Sequence, residues 1–78
     1  MSIGTERNAA AVAQIATNIR AELERQGLSE GQLAERMGIP LGALVGRLEN
    51  RVEITGGELM AVCRALDVDP SVLLDGVA

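Results

Sequence analysis

Residues 28 to 50 run Leu28-Ser-Glu-Gly-Gln-Leu-Ala-Glu-Arg-Met-Gly-Ile-Pro-Leu-Gly-Ala-Leu-Val-Gly-Arg-Leu-Glu-Asn50. Ser29 followed by Gln32 is a capping box: the hydroxyl accepts from the amide three residues on, and the amide side chain reaches back. A helix is therefore expected over 30–37, with Leu33, Ala34 and Met37 on its inner face. Gly38 suits a tight turn, because a positive φ there costs glycine little. Pro40 fits the first position of a further helix, where its missing N–H is not needed. That helix is expected over about 40–49, with Leu44 and Leu48 facing inward and Ile39 closing the turn.

Two short helices about a glycine turn have the spacing of a helix-turn-helix, a unit that sets its second helix into the DNA major groove. The outward face of this second helix is poor in hydrogen-bonding groups. It carries Leu41, Gly42, Val45 and Gly46. Each of the two glycines costs the helix roughly 1 kcal/mol relative to alanine, so its stability depends on packing. Leu41, Leu44, Val45 and Leu48 also form one i, i+3, i+4, i+7 stripe, a pattern that equally fits a rotated helix burying all four.

Working outward, Val12, Ile15, Ala16, Ile19 and Leu23 recur at three and four and predict a long first helix over 6–26, ended by Gly27. Its Ala9-Ala10-Ala11-Val12-Ala13 segment reads as either a dimer-forming arm or a frayed extension. Thr55 and Glu58 form a second capping box and open a helix over 56–66, striped by Leu59, Val62, Cys63 and Leu66. Asp69 caps a last helix over 70–75, with Pro70 at its first position and Val72 and Leu73 directed to the core. The expected class is all-α: five helices in a single domain spanning 1–78.

Composition narrows the chemistry. The chain has no Phe, Tyr, Trp or His. Base-stacking aromatics, the usual general acid–base residue and the commonest metal ligand are thus missing. Cys63 stands alone and cannot close an internal disulfide, and burial on the inner stripe is its expected role. No carboxylate spacing suggests a metal site or an acid–base pair, so neither an enzyme nor a cofactor is expected. The absence of a long apolar run argues against a membrane span and for a cytoplasmic chain.

The net charge is −4, unlike the basic balance of a general nucleic-acid binder. Its distribution is uneven. Glu6, Glu22 and Glu24 balance Arg7, Arg20 and Arg25; Glu30, Glu35 and Glu49 balance Arg36, Arg47 and Arg51. The excess lies in Glu53, Glu58, Asp67, Asp69 and Asp75, set against Arg64 alone. The two-helix unit is neutral.

Residues 18–74 resemble the lambda-repressor/Cro-like (XRE) helix-turn-helix family. The resemblance is carried by Leu28-Ser29, Leu33-Ala34, Met37-Gly38-Ile39, Leu44, and the stretch from Thr55 to Leu73. In style it is closest to actinobacterial and actinophage members, through Arg47-Leu48 and the Arg- and Ala-rich composition. The resemblance implies a small transcriptional regulator that binds double-stranded DNA as a homodimer. The chain also departs from the pattern. Glu30 stands where the family usually has a phosphate-contacting Gln. Pro40, Leu41, Gly42, Val45 and Gly46 replace residues that usually read base edges, and Arg51 replaces a glycine.

The candidate DNA contacts are Ser29, Gln32, Arg36, Leu41, Gly42, Val45, Gly46, Arg47 and Arg51. The arginines would clamp phosphates, with Arg47 or Arg51 reaching a guanine, while Leu41 or Val45 would meet a thymine methyl. Otherwise the arginines are solvated, with Arg36 paired to Glu35 or Glu30. A second reading keeps the fold and gives the Leu41/Val45 face to a protein partner.

Overall fold

The computed structural model describes residues 2–49 and 54–77, and all regular structure among them is helical. The helices are α1 (Ser2–Gln26), α2 (Glu30–Met37), α3 (Leu41–Leu48), α4 (Gly56–Leu66) and α5 (Pro70–Leu73). α1 packs on α3 and α5, α2 packs on α3 and α4, and α4 packs on α5. The hydrophobic core is aliphatic apart from one thiol: Ile15, Ala16, Ile19 and Leu23 of α1 meet Leu33, Ala34, Leu44, Leu48, Val62, Cys63, Leu66 and Leu73, and the Glu22 carboxylate is buried as well. Leu28, Met37, Ile39, Ile54 and Leu59 close its edges.

Local chemistry sets most of the boundaries. The Ser29 and Thr55 boxes both close reciprocally, each hydroxyl accepting the N3 amide while the N3 side chain accepts the cap amide. Gly27 and Gly38 end α1 and α2 in the left-handed region, at φ 68° and 72°. Asp67 does the same for α4 at φ 57°, without glycine's freedom. The last four carbonyls of α4 all find donors. Val68 N–H takes Cys63 and Asp67 N–H takes Arg64, while Arg36 Nη1 takes Ala65 at 3.1 Å and Gln26 Nε2 takes Leu66 at 2.9 Å.

Four expectations need correction. α1 begins at Ser2 rather than Glu6, since a helix already nucleated on the body propagates at small cost. Pro40 is the N-cap of α3, not its first helical residue: its φ of −63° fits either position, but its ψ of 146° is extended. α5 stops at Leu73 rather than Asp75. Asn18 Nδ2 donates to the carbonyls of Leu73 (2.8 Å) and Asp75 (2.7 Å), diverting them from a continuing helix. Val72, expected inside, is exposed, whereas Leu73 is buried. Consecutive residues of a helix lie about 100° apart, so a single turn points only one of them at the core.

Candidate nucleic-acid interface

The site is the pair α2 and α3 about Gly38. Gly38 N–H donates to the carbonyls of Ala34 and Glu35, and Ile39 N–H donates to Ala34 at 3.1 Å, so the chain reverses without a gap in its hydrogen bonding. Leu33, Ala34, Leu44 and Leu48 lock the two helices together from beneath, and Met37 and Ile39 pack at the margin. Small Ala34 allows the close crossing that the motif needs.

Ser29 and Gln32 are both exposed at the start of α2. Their acceptor atoms are used by the capping box, Ser29 N–H to Gln32 Oε1 at 2.8 Å and Gln32 N–H to Ser29 Oγ at 3.0 Å. The Ser29 hydroxyl proton and the Gln32 Nε2 hydrogens therefore remain as outward donors. Glu30 beside them is neutralised by Arg20, whose Nε donates at 3.3 Å. This pair moderates the repulsion that a carboxylate at this place would exert on a phosphate.

Arg36 is exposed, but it pairs with neither Glu35 nor Glu30. Its Nη1 caps the C-terminal end of α4 at Ala65. Arg47 is engaged more tightly. Its Nε and Nη2 bond Glu58, and its Nη1 donates to the Ala43 carbonyl at 2.8 Å. Glu58 thus uses one oxygen for the Thr55 amide, at 2.9 Å, and the other for Arg47. The Thr55 amide and then the Arg47 guanidinium hold the Glu58 carboxyl below its usual range. This joins the C-terminal end of α3 to the first turn of α4.

On the outer side of α3, Leu41 is 50% exposed and Val45 is half-buried. The stripe is therefore divided: Leu44 and Leu48 belong to the core, Val45 is half-buried outside it and Leu41 lies at the surface. A side chain at Gly42 would meet no atom within 4 Å, so this side of the helix is open. Gly46 is half-buried. Arg51 lies outside the described residues.

Sequence reasoning missed the tie from Arg47 to Glu58, the Arg20–Glu30 pair, and the capping of α4 by Gln26 and Arg36. None of these has helical spacing, and the first joins side chains of two different helices. Glu58 was legible only as a capping-box residue. Among the described residues no helix is long and apolar enough to cross a membrane. No group of three or more His, Cys, Asp or Glu residues among them could hold a metal ion.

No curated protein and no solved structure matches the chain. A family model described as helix-turn-helix, of the XRE/lambda-repressor-like type, matches residues 19–73, which run from the last third of α1 to the end of α5. The five helices, the glycine turn between α2 and α3, and this match agree with one another, and the chain belongs to the XRE/lambda-repressor-like helix-turn-helix family of DNA-binding regulators.

Proposed function

We propose that the chain is a small sequence-specific transcriptional regulator of the repressor/Cro kind, binding double-stranded DNA as a homodimer. The observation that carries this reading is the α2–Gly38–α3 unit, with the N-terminal end of α3 exposed on a chain of this family. α2 would lie across the backbone, with Ser29 and Gln32 donating to phosphates. α3 would enter the major groove at each half-site, the two sites lying about 34 Å apart. Exposed Met60, Val72 and Leu74 supply apolar surface for a second copy. Regulation of this kind needs no chemical step, and the reading assigns no cofactor.

A second reading is favoured by the same Leu41 exposure, together with the internal partners of Arg20, Arg25, Arg36 and Arg47. In it the α3 face binds a protein, and DNA is not read.

Titration of random-sequence duplex DNA at about 50 and 200 mM salt, with selection of the bound sequences, separates the two. Binding that weakens with salt and enriches a two-fold sequence supports the regulator. Failure to bind at about 10 μM, well inside the usual non-specific range, by a chain shown to be helical overturns it. Val45→Arg adds a second discriminant. Added positive charge strengthens a DNA complex and disrupts an apolar protein interface.

A further inference from the structure

We propose that base readout by α3 is confined to the 5-methyl group of a pyrimidine, met in the major groove by Leu41. This rests on the regulator reading and specifies what its recognition helix recognises.

The eight residues of α3 are Leu41, Gly42, Ala43, Leu44, Val45, Gly46, Arg47 and Leu48. Arg47 carries the only side-chain hydrogen-bond donors among them. A bidentate arginine contact with guanine is the commonest specific base contact, and it needs a free guanidinium fork. Here the Nε and Nη2 edge of that fork is taken by Glu58, and one Nη1 hydrogen by the Ala43 carbonyl. The Arg47 side chain is only 22% exposed. Three of the five Arg47 N–H donors are thus engaged, and α3 offers the groove no fully free guanidinium.

What it does offer is Leu41. Leu44 and Leu48 are buried, Ala43 and Val45 are half-buried, and Leu41 is the first residue of the helix and half exposed. Recognition helices present their N-terminal residues to base edges. Glycine at 42 leaves the adjoining surface without a side chain, and nothing stands within 4 Å of where one would be. The helix end can therefore settle deeper into the groove than a bulkier neighbour would permit. Base edges in the major groove are patterns of donors and acceptors, with one apolar exception, the C5-methyl of thymine. The same group is present on 5-methylcytosine, so the shared chemistry is the methyl and not the base that bears it.

The test uses the 78-residue chain and the duplex it selects. Each thymine is replaced in turn by deoxyuridine, which removes the methyl and leaves the pairing intact. At one position in each half-site, uridine is expected to weaken binding about fourfold, the worth of one buried methyl group. At that position 5-methylcytosine is expected to bind about fourfold tighter than cytosine. Leu41→Ala, which the exposure of Leu41 leaves folded, should weaken binding to the thymine duplex by at least that factor and lose the response to uridine.

Sequence-specific binding without a uridine-sensitive thymine overturns the inference and leaves the regulator standing. So does a uridine effect that persists in Leu41→Ala. Failure to bind any duplex overturns both readings and assigns Leu41 to a protein surface.

Discussion

At the scale of single residues, Glu58 and Asp67 each hold a helix end by an arrangement that a substitution can isolate. Glu58→Gln keeps a side-chain acceptor for the Thr55 amide, since glutamine serves at N3 of a capping box, but removes the charge facing Arg47. The variant is expected to lose about 1 kcal/mol of stability, the upper range for a partly exposed ion pair. The loss should depend on pH. The folded-state pKa of Glu58 is lowered, so its contribution is present above the unfolded value and is lost as pH falls through the folded one. Urea melts of the two proteins should therefore differ at neutral pH and converge at acid pH. Equal melts at neutral pH would deny the ion pair any net contribution. Asp67 adopts the left-handed conformation that glycine reaches more cheaply. Asp67→Gly is expected to gain about 0.5–1 kcal/mol, readable as a higher melting temperature.

At the scale of elements, α3 is the helix whose stability and function pull apart. Its N-cap, Pro40, makes no side-chain capping bond, unlike Ser29, Thr55 and Asp69. Its sequence includes Gly42 and Gly46, and it is held by Leu44, Leu48 and the Arg47–Glu58 tie. Gly42→Ala would fill open space and raise helix propensity, so it is expected to stabilise the fold by about 1 kcal/mol. On the regulator reading the same methyl stands between α3 and DNA, and affinity for the selected duplex should fall while the melting temperature rises. Parallel gains in both would place the Gly42 side of α3 away from the groove. α2 was legible from sequence to the residue because a reciprocal cap and a left-handed glycine fix both of its ends. α3 was legible to within one residue, since proline's φ suits both the N-cap and the first helical position. The outer face was not resolved: Leu41 and Val45 share a periodicity with Leu44 and Leu48, and only the packing of α1 and α2 shows how much of the stripe the body covers. Nor could sequence show that Arg47 is engaged, because Glu58 reaches it across the segment joining α3 to α4.

At the scale of the whole molecule, acidity and the lack of histidine set the response to pH. Among the described residues three carboxyl groups are held below their usual ranges: Glu22 chiefly by the Arg25 guanidinium, then by Gln26; Glu58 by the Thr55 amide, then by Arg47; and Asp69 by the Ser71 amide. They sit in α1, at the start of α4 and at the start of α5, so acid loosens several helix ends together. Each stabilises the fold above its unfolded pKa, and each contribution is lost as pH falls through the lowered folded value. Burial raises the pKa of the Cys63 thiol, which moves its ionisation to the alkaline side. Without histidine, no side chain has an ordinary pKa between about 5 and 8. Thermal stability is therefore expected to be flat from about pH 5 to 8 and to fall below about pH 4, as the unfolded chain takes up protons that the folded one resists. A series of melts followed by helical circular dichroism, a signal that needs no aromatic residue, measures this directly. A stability maximum below pH 4 would show that repulsion among the excess acids outweighs the bonds these three carboxylates make. Glu22, Glu58 and Asp69 would then be stabilised locally within a fold that is, as a whole, limited by its negative charge.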